Sequence, residues 1–226
     1  MNLQAIIFDF DGVVADSEPL HLRAFQQALG DQGVFLSREE YFQRYLGYDD
    51  VGAFQAVSRD RGLGLDERQI AELVTRKGIK LQEMMHAGDV LFPGAADFIR
   101  AAAKAVPIAV ASGALRHEIS EILDAAGLAD LFVTIVAAGD TPESKPNPAP
   151  YRLAFERLKE HAPELEAWRC VAIEDSRWGL ESARGAGLRC VGVTNSYPAA
   201  ELPGAELVVD GLKALTVEQL DSFVGA

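Results

Sequence analysis

The sequence predicts an α/β protein built on a doubly wound, mostly parallel sheet, with an all-helical segment inserted after the first strand. Short apolar or β-branched runs recur along the chain, and stretches with helical periodicity separate most of them. Such alternation is typical of parallel strands joined by helical crossovers. About 100 residues lie between the first and second runs, although a crossover needs only about a dozen. We therefore expect an insertion at that point.

The strand runs are short and evenly apolar, and they cover residues 5–8, 108–111, 132–136, 171–173, 191–193 and, more weakly, 207–209. Helices are predicted over 95–105, 116–126, 150–161 and 178–185, the second ending at Gly127 and the last near Gly187. Residues 16–88 show helical periodicity and no convincing strand. The expected domains are therefore a core of residues 1–15 and 89–226 and an inserted helical domain of residues 16–88.

The chain is acidic, with 34 acidic against 21 basic residues and a formal charge of −13. This charge opposes binding to nucleic acid or to an anionic membrane. No run reaches the roughly 18 apolar residues of a membrane span, and the first residues lack a charged region followed by a long apolar stretch. We expect a cytoplasmic protein in which Cys170 and Cys190, each at the start of an apolar run, are buried and reduced.

Polar residues follow the predicted strands at the positions where open α/β sheets bind ligands, the carboxyl ends of their strands. Asp9 and Asp11 follow the first strand, and on a continuing strand they would share one face. Their mutual repulsion favours the capture of a cation or a raised pKa for one of them. The later strands lead to Ser112-Gly113, to Lys145 before a proline-rich turn, and to Glu174-Asp175-Ser176.

Each of these later residues also has an ordinary structural explanation. Asp175 or Ser176 could cap the helix that follows, and an isolated lysine in a turn is usually solvated. The order of the whole set along the chain is the stronger signal. Two carboxylates, a hydroxyl, a lysine and an acidic pair at successive strand ends suit a phosphate and a hard metal ion.

With these four motifs the sequence resembles the haloacid dehalogenase superfamily of phosphohydrolases. The resemblance is carried by Asp9-Phe10-Asp11-Gly12, Ser112-Gly113, Lys145-Pro146 and Glu174-Asp175-Ser176, and it covers essentially the whole chain. The position of the insert is similar to that of the helical cap in the subgroup containing phosphoglycolate phosphatase and β-phosphoglucomutase. The resemblance implies a Rossmann-like core domain carrying this cap.

The resemblance also implies a mechanism and a partner, a small phosphate monoester. Asp9 would attack phosphorus to form an aspartyl-phosphate, and Asp11 would act as the general acid and base. The implied cofactor is Mg²⁺, held by Asp9, Asp11 through its carbonyl, Glu174 and Asp175. The implied phosphate-binding and substrate-binding residues are Ser112, Gly113, Lys145, His21 and Lys77.

Three other functions are left open by the residues alone. A β-phosphoglucomutase would carry an arginine within residues 45–50 to grip a distal phosphate, but this chain has Asp49 and Asp50 there, which would repel one. A phospho-accepting receiver would place its aspartate after the middle strand, which here leads to Gly139-Asp140. A dehalogenase would not need the acidic pair after the fourth strand. We therefore expect hydrolysis of a small monophosphate.

Overall fold

The structure is a computed structural model, and it describes residues 1–30, 32–45, 48, 50–87 and 90–225. The chain divides into two compact units. Unit 1 comprises residues 1–16 and 90–226, and unit 2 comprises residues 17–89. The predicted fold class, a doubly wound parallel sheet with an inserted helical segment, is confirmed.

The described part of unit 2 contains four helices, α1 (Glu18–Gly30), α2 (Arg38–Arg44), α3 (Asp50–Arg61) and α4 (Glu67–Ala87). Unit 1 contains the strands β1 (Ala5–Phe8), β2 (Ile108–Ala111), β3 (Thr134–Val136), β4 (Cys170–Glu174), β5 (Arg189–Val193) and β6 (Leu207–Val209). Its helices are α5 (Ala95–Ala105), α6 (Arg116–Ala125), α7 (Ala149–His161), α8 (Arg177–Gly185) and α9 (Val217–Val224).

The six strands of unit 1 form one sheet in the order β3-β2-β1-β4-β5-β6, and all pairings are parallel. The residues of β1, β2 and β4 are buried throughout, because helices cover both faces of such a sheet. Strand order reverses between β1 and β4, and ligands bind at the carboxyl ends of the strands that flank such a reversal. Asp9 directly follows β1, and Glu174 ends β4.

This strand order separates the chain from a receiver-type protein. A receiver has a flavodoxin-like sheet of order 2-1-3-4-5, whereas the first strand here lies between β2 and β4. Asp140, which follows β3, forms ion pairs with Arg116 and Arg157. The carboxylates at the reversal point therefore come from β1 and β4.

Unit 2 is a helical bundle with its own apolar core. Phe25 of α1, Tyr41 of α2 and Phe54 of α3 pack together, with the Phe25 and Phe54 ring centroids 4.8 Å apart. Leu73 of α4 belongs to the same cluster. The helical periodicity of this segment thus marks the face that each helix buries.

The structure differs from the sequence prediction mainly at the chain end and at element boundaries. Helix α9 was not predicted, although Thr216 and Gln219 form a capping box at its start. Strand β3 begins at Thr134, two residues later than predicted, and a short 3₁₀ turn over residues 129–131 precedes it. Cys170 and Cys190 are buried and free, as expected. Among the described residues, no helix has both the length and the apolar character of a membrane span.

Candidate active site

The site is organised around a buried ion-pair cluster at the reversal point of the sheet. Lys145 Nζ lies 2.8 Å from Asp9 Oδ1 and 2.5 Å from Glu174 Oε1. Asp9 Oδ1 also accepts a 2.7 Å hydrogen bond from the N–H of Phe10. The lysine, which the sequence places in a turn between β3 and α7, is therefore held between the carboxylates that follow β1 and end β4.

Asp175 completes this cluster next to the turn that follows β1. One carboxylate oxygen from each of Asp9, Glu174 and Asp175 lies within 4.8 Å of the others. The Ser196 hydroxyl lies beside the Asp175 carboxylate and acts to lower its pKa. Gly12 has a φ of +79°, and a Cβ at this position would lie 1.9 Å from Asp175 Oδ2. Only glycine allows the turn to pass so close to the carboxylate.

Burial sets the electrostatics of the cluster. Burial, followed by the negative charge of Glu174, raises the pKa of Asp9 well above its usual value. The same two causes raise the pKa of Asp175 to about 6. Burial alone would lower the pKa of Lys145, but Asp9 and Glu174 outweigh it, so its pKa rises and the ammonium stays charged. Three carboxylates thus face one cation.

This donor set fits a hard divalent metal ion. Three closely spaced carboxylates with a single ammonium leave an excess of buried negative charge, which a divalent cation would offset. All the side-chain donors are oxygens, the ligands that Mg²⁺ prefers. The cluster is therefore a candidate metal centre.

The remaining predicted residues of unit 1 lie at the same edge of the sheet. Ser112 follows β2, in which Val110 pairs with Phe8 of β1. The hydroxyl of Ser112 accepts a 3.0 Å hydrogen bond from the N–H of Ala114. Gly113 has open space where a side chain would be. Asp11 lies in the turn after β1, and it bridges to Ala15.

The structure also shows whether Asp175 or Ser176 caps the helix that follows β4. Ser176 is the N-cap of α8, and its hydroxyl accepts a 3.1 Å hydrogen bond from the N–H of Gly179. Asp175 instead belongs to the carboxylate cluster. The two adjacent residues therefore have different tasks, which the sequence alone did not separate.

Two further predicted residues, His21 and Lys77, lie together in unit 2. Lys77 is 1% exposed, and its Nζ lies 2.8 Å from Asp50 Oδ1 and 2.9 Å from His21 Nδ1. Burial and the nearby lysine lower the pKa of His21 to about 3, so the imidazole is neutral at pH 7. The charge of Asp50 is neutralised within unit 2, which weakens the expectation that it repels a distal phosphate. Leu46, Gly47 and Asp49 lie outside the described residues.

Sequence reasoning missed three side chains that contact the site. Tyr151 of α7 donates a 2.8 Å hydrogen bond to Glu174 Oε1. Asn195 donates a 2.8 Å hydrogen bond to the Gly12 carbonyl, and Ser196 contacts Asp175. Asn195 and Ser196 follow β5, so the strand-end rule could have found them. Tyr151 occupies an apolar position of its helix, and no sequence signal separates it from an ordinary core residue.

Replacing Gly12 with Ala is expected to destabilise the turn after β1. Positive φ costs a residue with a side chain about 1 kcal/mol or more, and the new Cβ would displace Asp175. The matched control is Gly127→Ala, where φ is +62° but nothing lies within 4 Å of the added Cβ. Denaturant unfolding should show a larger loss for Gly12→Ala. Equal losses in the two variants would contradict the close approach to Asp175.

The neutral His21 predicts a pH-dependent stability. Its pKa is about 3 in the folded protein and 6.5 in the reference state, so the unfolded chain binds an extra proton between these values. The free energy of unfolding should therefore fall as the pH falls below 6.5, by at most about 1.4 kcal/mol per pH unit. Urea unfolding of the wild type and of His21→Gln between neutral and mildly acidic pH measures this. Parallel curves for the two proteins would contradict it.

Comparisons with known proteins identify the family of this chain. Residues 3–187 match the haloacid dehalogenase-like hydrolase family. The chain is 34% identical over 207 residues to protein CbbY of Rhodobacter capsulatus, covering 87% of this chain and 88% of that protein. It is 30% identical over 200 residues to phosphoglycolate phosphatase of Yersinia pseudotuberculosis, covering 86% and 82%.

A solved structure shows the same likeness in three dimensions. The crystal structure of a CbbY variant from Rhodobacter sphaeroides, in complex with xylulose-(1,5)bisphosphate, superposes with a TM-score of 0.79 at 31% sequence identity. The match covers 97% of this chain and 99% of that chain. The family match, the two relatives and this structure agree, and the chain belongs to the haloacid dehalogenase-like hydrolases, in their phosphatase branch.

Proposed function

We propose that this chain is a magnesium-dependent phosphatase that hydrolyses a small phosphate monoester through an aspartyl-phosphate on Asp9. The observation that carries the proposal is the buried cluster of Lys145 with Asp9 and Glu174, with Asp175 beside it at the reversal point of the sheet. A CbbY relative whose structure holds xylulose-(1,5)bisphosphate supports a sugar phosphate as the substrate. Similarity to a phosphoglycolate phosphatase supports a substrate smaller than a sugar phosphate.

In the first step a carboxylate oxygen of Asp9 attacks phosphorus, and the bond from phosphorus to the ester oxygen breaks. Asp11 donates a proton to the leaving oxygen. Lys145 offsets the repulsion between the carboxylate and the phosphate oxygens, while Ser112 and the N–H of Gly113 hold those oxygens. Asp9, Asp175 and the Asp11 carbonyl would hold Mg²⁺, with Glu174 beside them, and the ion when bound would supply positive charge to the phosphate.

In the second step water attacks the phosphorus of the aspartyl-phosphate. Asp11, now a carboxylate, takes the proton from this water, and the bond from Asp9 to phosphorus breaks. Inorganic phosphate and the free Asp9 carboxylate result. The two roles of Asp11 are those of one general base and general acid in successive steps.

We infer that unit 2 acts as a cap that closes over the substrate and controls the entry of water. The support for this is its place in the chain, as an insertion between β1 and β2. The expected contact of His21 and Lys77 with the substrate stays a prediction, because within unit 2 Lys77 is 1% exposed and is paired with Asp50 and His21. The cytoplasmic location stays a prediction.

A phosphate-release screen over metabolite monophosphates, with and without Mg²⁺, tests the proposed function. Release that depends on Mg²⁺ supports it, and absence of release from every monoester would reject it. Supplying a hexose 1-phosphate with a bisphosphate activator tests the mutase alternative. Formation of the hexose 6-phosphate in place of free phosphate would favour that alternative.

Replacing Asp11 with Asn is expected to slow hydrolysis according to the leaving group. A placed acid–base contributes about 10²–10⁴ in rate, and a poor alkoxide leaving group needs the proton more than an aryloxide does. The loss in kcat should therefore be larger for an alkyl phosphate than for an aryl phosphate when release of the alcohol is followed directly. Equal losses for the two substrates would contradict the role as general acid.

A further inference from the structure

The carboxylate of Glu174 has its hydrogen-bonding capacity filled by groups of this chain. Oε1 accepts from Lys145 Nζ at 2.5 Å and from the hydroxyl of Tyr151 at 2.8 Å. Oε2 accepts from the N–H of Asp175 and from the hydroxyl of Ser176, both at 3.2 Å. An ionised carboxylate offers about four lone-pair sites. The four donors therefore leave Glu174 no lone pair for a metal ion.

The surroundings of Glu174 also hold the side chain in place. The residue is 0% exposed. A Cβ on Gly179 would lie 1.8 Å from its Oε1, so α8 packs directly against the carboxylate. Reorientation of Glu174 toward a metal would break contacts on both oxygens.

Asp9 has a different arrangement. Its contacts with Lys145 Nζ and with the N–H of Phe10 are both made by Oδ1. Oδ2 takes part in neither of these contacts. The three carboxylates are close together, but they are not equivalent as ligands.

Tyr151 holds the lysine from a second direction. Its side chain is fully buried, and Lys145 Nζ lies 4.9 Å from the centroid of its ring. The ring face attracts the ammonium, and the hydroxyl fixes the carboxylate to which that ammonium is paired. Tyr151 and Glu174 together thus define where Lys145 Nζ lies relative to Asp9.

We propose that Glu174 and Tyr151 are positioning residues, which hold Lys145 against Asp9, and that Glu174 does not ligate the metal. This inference rests on the proposed function, because it assigns Lys145 to the phosphoryl-transfer site. It divides the acidic pair after β4 into Asp175, which faces the metal, and Glu174, which fixes the lysine.

A crystal structure of the Mg²⁺-loaded wild-type protein tests the ligand assignment without measuring activity. We expect Glu174 to keep its contacts with Lys145 and Tyr151 and both of its oxygens to stay beyond the roughly 2.0–2.1 Å of a magnesium ligand. A Glu174 oxygen at ligand distance would overturn the proposal. This result is independent of whether any tested monoester is the substrate.

Kinetics of Tyr151→Phe test the positioning role. This variant keeps the ring and every charge and removes one hydrogen bond, so the affinity for Mg²⁺ measured by calorimetry should change less than about twofold. We expect kcat to fall about tenfold with KM little changed, because small displacements of a positioned group are costly to rate. A folded variant with a lower melting temperature and wild-type kcat would overturn the proposal, since a merely structural residue behaves in that way.

A second pair of variants keeps the test decisive if Tyr151→Phe folds poorly. Glu174→Gln removes one of the two partner charges of Lys145 and should lower kcat about 100-fold. The matched control is Glu160→Gln, at an exposed position of α7, which should leave kcat unchanged. Glu174→Gln at wild-type kcat would overturn the positioning role. Failure of the wild type to release phosphate rejects the proposed function instead, and the metal-bound structure still decides the ligand assignment.

Discussion

Replacing Asp9 with Asn is expected to lower kcat for phosphate release by on the order of 10⁴ or more, as for other enzymes that lose a covalent nucleophile. The amide is nearly the same size as the carboxylate, but it is a far poorer nucleophile and cannot form the aspartyl-phosphate. The measurement is release of phosphate from a generic aryl phosphate with saturating Mg²⁺. Because Asp9 Oδ1 also pairs with Lys145, the melting temperature of the variant should be measured alongside.

The matched control for this variant is Asp97→Asn on α5, an exposed residue of the same type. It should keep wild-type kcat. Metal-dependent turnover by Asp9→Asn near the wild-type rate would reject Asp9 as the nucleophile. In that case the carboxylate would serve the metal or the lysine only.

Replacing Lys145 with Met is expected to lower the free energy of unfolding by about 3–5 kcal/mol, the usual cost of removing one partner of a buried ion pair. The ammonium lies between Asp9 and Glu174, so its loss leaves two buried carboxylates without their cation. Methionine fills a similar volume, and the loss is therefore mainly electrostatic. Denaturant unfolding in the absence of divalent metal measures it.

The stability loss of Lys145→Met should become smaller as the pH is lowered, because burial raises the pKa of Asp9 and a protonated Asp9 no longer needs the ammonium. The control is Lys104→Met, an exposed lysine near the end of α5, which should change the free energy of unfolding by less than about 0.5 kcal/mol. Similar small changes in both variants would show that Lys145 is not a buried partner of the two carboxylates. We also expect Lys145→Met to be inactive.

The strand-end residues could be predicted because a parallel α/β sheet has few alternatives. Apolar runs such as residues 5–8 and 108–111 read as strands, and helical crossovers bring the carboxyl ends of parallel strands to one edge. Asp9 and Glu174-Asp175 follow two of those runs, so their meeting depends on topology alone. The sequence places Lys145 there less directly, through a turn and the resemblance.

Other contacts required the fold. Asp50 and Lys77 are 27 residues apart and lie on α3 and α4, and only helix packing shows that they pair with each other. Sequence reasoning treated Asp50 as a charge that would repel a distal phosphate. The sequence did not show that Lys77 is buried, because a cation within helical periodicity usually indicates an exposed face.

By itself, the sequence determined the α/β class, the helical insertion and the set of chemically able residues at the strand ends. These features depend on periodicity and order, which are properties of neighbouring residues. The tertiary structure alone decided which oxygens remain for a ligand. The Glu174 carboxylate accepts hydrogen bonds from four donors, one of them the hydroxyl of Tyr151. Lys145 contacts Oδ1 of Asp9 and not Oδ2. Hydrogen-bond satisfaction depends on distances between remote segments, and a linear pattern does not contain them.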